Sequence, residues 1–159
     1  MRRKDREITD FNAMKEILQD CGCCRLGLVE PDGTACILPL NFGWEEQDGT
    51  LTLWFHGAAE GHKFSMLRPG AVVGFEMDTG HRLVPGPKAE EYTYAYRSVM
   101  GRGEVTFARD DDAKLHGLNC IMDHYSGRSD WTVTPAMLGV TAVYSLRVTA
   151  WTAKEHKIP

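Results

Sequence analysis

Phe11, Met14, Ile17 and Leu18 recur at helical spacing behind Asp10, whose carboxylate can accept from the free amides of a first turn, so the chain opens with a short amphipathic helix. The period then changes to two. Cys24 to Val29 alternates, Pro31-Asp32-Gly33 signals a turn, and Ala35 to Trp44 resumes as an extended run, which predicts a β-hairpin. Gln47-Asp48-Gly49 predicts a second turn. After it Leu51, Leu53 and Phe55 alternate with Thr52, Trp54 and His56, so His56 belongs to the face opposite Phe55.

Glu60 to Leu67 is a short helix ended by Arg68-Pro69-Gly70, and Ala71 to Met77 is a strand. Asp78 to Thr93 holds Pro85-Gly86-Pro87-Lys88 and no periodicity, which predicts a long loop of the kind that often forms a lid. Tyr94 to Ala108 is a long strand in which Gly101 and Gly103 mark a bulge or a close backbone approach. Asp110 to Asp112 open a helix with an apolar stripe of Leu115, Leu118, Ile121, Met122 and Tyr125, and Val140 to Thr152 alternates as a last strand. About six strands and three helices result. Tight turns demand antiparallel pairing, and long antiparallel strands remove their edges most simply by closing into a barrel.

A chain of 159 residues with 43% apolar and 25% charged content suits one domain, 1–159. The formal charge of -4 argues against a nucleic-acid partner, which calls for clustered excess Lys and Arg. Arg2-Arg3-Lys4 with Arg6 is interrupted by Asp5 and Glu7 and reads as a frayed, solvated arm. No apolar run reaches the roughly 18 residues of a membrane span, and the polar start lacks the apolar centre of a signal peptide, so a cytoplasmic protein with no membrane contact is expected. The cysteine count is odd, at 5, which favours free thiols in that setting.

Pro39 removes a ladder donor and belongs at an edge or bulge, leaving backbone groups near Leu40 and Asn41 free for the polar rim of a flat heterocycle, or simply ending a strand. Downstream, a helix starting near Glu60 would expose amides to a phosphate, with Lys63 adding a charge, His62 a donor, and Gly57, Ala58, Ala59 and Gly61 keeping the approach open. A purely structural turn has the same composition. Cys21, Cys23, Cys24 and Cys36 have no second CxxC pair and are discounted as a metal site. His116 and Cys120, one helical turn apart with His124 beyond, have ligand-compatible spacing, yet such a face is more often partly solvated structure.

The segments Cys24-Arg25-Leu26-Gly27-Leu28, Pro39-Leu40-Asn41-Phe42-Gly43, Phe55-His56-Gly57-Ala58 with Gly61-His62-Lys63, Phe75-Glu76, Tyr96-Arg97-Ser98-Val99-Met100-Gly101-Arg102-Gly103 and Val143-Tyr144-Ser145-Leu146 follow one another in this order. Together they resemble the FMN-binding split-barrel superfamily, and within it the nitroimidazole-resistance branch of the pyridoxamine 5'-phosphate oxidase-like proteins. The resemblance implies a mainly β fold, a six-stranded antiparallel Greek-key split barrel with flanking helices. It also implies a homodimer with FMN in two clefts at the subunit interface. Leu38, Pro39, Leu40 and Asn41 would line the isoalloxazine edge, and His56, Gly57, Ala58, His62 and Lys63 would hold the ribityl phosphate region. Ser98 and Val99 would close the other side from the second subunit, with Trp151 a weaker candidate there.

His56 is the catalytic candidate, an imidazole able to donate a proton to a substrate reduced by the flavin. The implied activity is an FMN-dependent reductase that takes electrons from NAD(P)H and passes them to a small organic compound, a nitroaromatic such as a nitroimidazole. A non-catalytic FMN-binding or sensing module, or a haem- or deazaflavin-binding barrel using His56 or His124, are the alternatives. True pyridoxamine phosphate oxidation is disfavoured, because the dense basic C-terminal residues that a substrate phosphate requires are not found.

Overall fold

Asp10 caps the first helix as expected, its carboxylate accepting from the Ala13 amide at 2.8 Å, and α1 (Phe11–Asp20) follows in the computed structural model, which describes residues 3–158. Eight strands make up the body: β1 (Glu7–Ile8), β2 (Cys24–Val29), β3 (Ala35–Leu40), β4 (Gly43–Gln47), β5 (Thr50–Ala58), β6 (Val72–Val84), β7 (Thr93–Phe107) and β8 (Thr141–His156). The other helices are α2 (Lys63–Met66), α3 (Asp111–Ser126) and α4 (Pro135–Val140).

All strand pairs are antiparallel, in the order β3-β2-β6-β7-β8-β5-β4, with β1 added beside β8. Laid flat, the outer two strands of that path would stand roughly 29 Å apart at the usual strand spacing. Yet β3 and β4 are joined through Asn41-Phe42 alone, a link that spans at most about 11 Å. The sheet must therefore curl until its ends nearly meet, which gives a mainly β, barrel-like architecture. Inside it Leu26, Phe42, Leu53, Phe55, Met77, Val99 and Leu146 are fully buried, and Phe55 stacks on Tyr144 with centroids 5.5 Å apart. Met14, Ile17 and Leu18 of α1 join this core, while α3 packs outside β4, β5 and β8.

The differences from expectation have local causes. Ala35 to Trp44 is two strands because its halves pair with different partners, β2 and β5. Half of the expected long loop at 78–93 is strand: β6 runs on to Val84 and β7 begins at Thr93, with an irregularity between Thr79 and Arg82 and a left-handed Gly80 at φ 68°, so the connection shortens to 85–92. A hairpin solvated on both faces needs no apolar alternation, so periodicity could not reveal it, and no lid of that length exists. Residues Lys4–Arg6 form a 3-10 turn, β1 pairs with β8, and Arg6 Nη2 lies 3.0 Å from His156 Nε2, so the N-terminal arm is docked rather than frayed. Arg2 lies outside the described residues.

α4 was not expected, although Thr134 accepts from the Met137 amide and Pro135 opens the helix. On α3 the buried positions are Gly117 and Ile121 rather than the whole apolar stripe, and Met122 and Tyr125 stay exposed. Asp48 and Gly49, with φ of 50° and 77°, make the tight β4–β5 turn. The ladder with β8 slips between Arg102 and Gly103, as the two glycines of β7 suggested. Among the described residues no helix is long and apolar enough to cross a membrane.

Candidate functional site

After β5 the chain turns through Gly61, at φ 127°, and brings Lys63 back over the strand it has just left. A Cβ added at Gly57 would overlap Lys63 Nζ and come within 3.0 Å of its Cε. Gly57 thus makes room for an ammonium group resting on the strand backbone. Among the described residues no carboxylate pairs with that ammonium, which lies 5.2 Å from the centroid of the Phe64 ring.

His56 and Gly57 are adjacent, so strand alternation sends them to opposite faces. Phe55 and Gly57 share the inner side, and His56 is exposed on the outer side with Thr52 and Trp54, the side covered by α3. Surrounding protein, and after it the Lys63 charge, hold the His56 imidazole below the ordinary histidine value. His62 is tied elsewhere, with Nε2 2.8 Å from both carboxylate oxygens of Glu30 in the β2–β3 turn.

The expected helix from Glu60 is only the four residues of α2. The amides of Phe64 and Ser65 already donate to the carbonyls of Gly61 and His62, at 3.1 and 3.0 Å. An anion at this end would therefore meet a lysine, and not a row of free helical amides.

At the far end of the same hairpin, Leu38 and Leu40 lean on the core, while Pro39 and Asn41 are exposed on and just beyond the end strand of the sheet. The β3–β4 corner is clamped by the end of α3. The Phe42 amide donates to the Tyr125 hydroxyl at 3.2 Å, that hydroxyl donates to the Gly22 carbonyl at 3.0 Å, and His124 Nε2 donates to the Cys21 carbonyl at 2.8 Å. Leu40 pairs with Cys24 at the start of β2, and Glu30 follows its end. His62 and Asn41 thus sit at opposite ends of a six-residue strand, roughly 17–20 Å apart.

The register also assembles a surface that the residue pattern could not disclose. Ile37 pairs with Gly27, Gly27 pairs with Gly74, and with Arg25 and Met100 they border an open apolar cleft of about 320 Å³ on the outer face of β3, β2, β6 and β7. Val29, Ile37, Val72 and Met100 are between 51% and 67% exposed on that face, a concentration of bare apolar surface uncommon on a free protomer. Arg25 borders it, donating to Glu76 at 3.1 Å and Asp78 at 2.7 Å.

Alternation puts Ser98 on the same outer face as Met100 and turns Val99 into the core, fully buried. Trp151 faces inward, edge-on to Phe11 of α1 at 5.6 Å. The structure therefore groups Gly57 with Lys63 on the inner side of the end of β5, leaves His56 and Ala58 on its outer side, and sets Leu38 to Asn41 on β3 and just beyond it. It does not bring Val99 or Trp151 to the face that carries Ser98. All five cysteines are free thiols, and burial pushes the Cys21 thiol up to about 12.

Residues 10–155 match the family model for pyridoxamine 5'-phosphate oxidase. No curated protein matches the chain. Among solved structures, a candidate 5-nitroimidazole antibiotic resistance protein from Bacteroides thetaiotaomicron is 29% identical over 94% of this chain and 86% of its own, with a TM-score of 0.80. The flavocytochrome Anf3 from Azotobacter vinelandii, at 23% identity over 100% of this chain and 73% of its own, superposes with a TM-score of 0.82. An FAD and heme binding protein from Mycobacterium smegmatis, at 23% identity over 96% and 74%, has the same score and like Anf3 shows the shared fold.

Proposed function

The chain belongs to the pyridoxamine 5'-phosphate oxidase family of FMN-binding split barrels, and from that premise we propose that it is an FMN-dependent reductase of small oxidised organic compounds, nitroaromatics such as nitroimidazoles among them. The observation that carries this reading is the Lys63 ammonium, unpaired among the described residues and lying over side-chain-free Gly57 one residue from His56. A positive group held against bare backbone suits a phosphate monoester better than a structural turn, which would leave the charge solvated.

In this proposal Lys63 binds the phosphate. His62 turns its second ring nitrogen toward it, with Glu30 fixing the imidazole. Gly57 and Ala58 leave the backbone open. Leu38, Pro39, Leu40 and Asn41 line the planar ring at the other end of the hairpin. Ser98 of a second copy closes the cleft, while Val99 and Trp151 support that side from the core. The exposed apolar face around Ile37 and Met100 suits burial against its own copy, so the working unit is a homodimer.

Bound FMN would supply the electron chemistry, accepting a hydride from NAD(P)H and passing electrons to the substrate. His56 would hold a proton on a ring nitrogen and deliver it to the reduced substrate, a role suited to a histidine whose proton is easily given up. A visible spectrum of the purified protein, FMN titration and turnover of a nitro compound with NAD(P)H test the reading. Lys63→Ala is expected to weaken FMN binding with folding retained, and His56→Ala to slow turnover with FMN still bound. A colourless monomer indifferent to added FMN overturns it.

A further inference from the structure

Where β4 and β5 pass beneath α3, three side chains able to ligate a metal converge. Glu45 Oε2 lies 2.9 Å from His116 Nε2, and Cys120 Sγ lies 3.7 Å from the same nitrogen. All three donor atoms fall within 4.8 Å of one another. His116 and Cys120, one helical turn apart, face the same way, and β4 contributes the third group.

Neighbouring groups hold this arrangement in place. Trp54 Nε1 donates to the other Glu45 oxygen at 2.7 Å, and its ring stands edge-on to His116 at 5.5 Å. Gly43 brings β4 against α3 so closely that an added Cβ would overlap the Cys120 backbone. A cavity of about 500 Å³ opens beside the cluster, and Asp112, Asn119 and Asp123 border it as well.

We propose that Glu45, His116 and Cys120 bind a zinc-class divalent ion, with a fourth position open to water or a small ligand from the cavity. Bond lengths of about 2.0–2.3 Å in a tetrahedral site put neighbouring donor atoms roughly 3.3–3.8 Å apart; the 2.9 Å Glu45–His116 edge opens by tenths of an ångström to reach this, the 3.7 Å His116–Cys120 edge already fits, and the Cys120–Glu45 edge lies within 4.8 Å. One thiolate, one imidazole and one carboxylate suit zinc better than magnesium or calcium, which prefer oxygen donors alone. The ion would take the place of the hydrogen now shared by His116 and Glu45, moving the imidazole proton to Nδ1, and Trp54 would act as the outer partner that orients the carboxylate. Burial, with the charges of Glu45 and Asp123 added, pushes the Cys120 thiol up to about 12, so binding must release its proton and tightens as pH rises. None of the three belongs to the residues proposed for flavin, so this inference stands or falls apart from that reading.

The test uses the full-length reduced protein, titrated with Co(II) and read by difference spectroscopy, then with zinc against a chromophoric chelator. One equivalent should bind with a sulfur-to-cobalt charge-transfer band. The band should vanish in Cys120→Ser and persist in Cys23→Ser, and zinc affinity should fall at least about tenfold in Cys120→Ser and His116→Ala. In the unaltered protein, zinc should slow alkylation of Cys120, followed by mass spectrometry of its peptide. A hydrogen-bonded trio with no metal affinity would show no band and no protection; that result, or a band unchanged in Cys120→Ser, overturns the proposal.

Discussion

Gly57→Ala separates the proposed phosphate grip from the fold. The new methyl group would occupy the space of Lys63 Nζ and lie 3.0 Å from its Cε, so the lysine must swing away. These atoms end a flexible side chain, and Gly57 is not among the glycines with positive φ, so alanine is accommodated at little cost. The change in folding stability should stay below about 1 kcal/mol, since alanine in a strand also relieves the entropy cost of glycine. What is lost is one charge-assisted hydrogen bond to a phosphate, worth about 1.5–3 kcal/mol, or roughly 10- to 150-fold in FMN affinity.

Quenching of flavin fluorescence on titration measures the affinity, and urea unfolding of the cofactor-free protein measures the stability. Gly101→Ala is the contrasting control. There a Cβ would lie 2.5 Å from the Phe75 ring and 2.7 Å from the Ala150 carbonyl, neither of which can move freely, and about 1–3 kcal/mol of stability should go. In a Lys63→Ala background Gly57→Ala should weaken binding no further, because both changes remove the same contact. Undiminished FMN affinity in Gly57→Ala, or a second tenfold loss in the double variant, refutes the reasoning.

Turnover that depends on the His56 imidazolium should decline as pH rises through a value below the ordinary histidine pKa of about 6.5. Removing the Lys63 charge, the second cause of that depression, should move the decline to higher pH in Lys63→Ala at saturating FMN; an unmoved profile rejects His56 as the donor. His124 is held below its usual value mainly by burial, and its Nδ1 is buried without a partner. The folded state therefore binds fewer protons there than the unfolded chain, so its contribution is present above about pH 6.5 and lost as pH falls through the depressed value. The stability difference between wild type and His124→Gln should shrink on acidification in urea titrations, and a pH-independent difference contradicts this. Gly43→Ala should cost roughly 3 kcal/mol by forcing β4 from the Cys120 and Ile121 backbone, and a loss under about 1 kcal/mol would show that α3 yields more easily than the packing indicates.

Features decided by near neighbours in the chain were legible from the residues. Asp10 and Asp110 cap their helices through amides three positions on, and Asp48-Gly49 turns the β4–β5 hairpin. The alternation of β5 foretold that His56 would face away from Phe55. The order of motifs pointed to the family and so to a barrel, and Gly57 and Lys63 belong to one of those motifs.

Tertiary structure decided whatever depends on register between distant strands, because a slip of one residue exchanges the faces of a strand. Register turned Val99 into the core and left Ser98 outside, set Gly27 beside Gly74 under the apolar cleft, and paired the end of β6 as far as Val84 with the start of β7 in a solvated hairpin. His116 and Cys120 show their spacing in the sequence, but only the packing of α3 on Gly43 brings Glu45 to them, 71 residues before His116 in the chain. Local hydrogen bonding and periodicity are properties of a segment. A constellation belongs to the assembled sheet, where the close approach of two backbones determines which side chains meet.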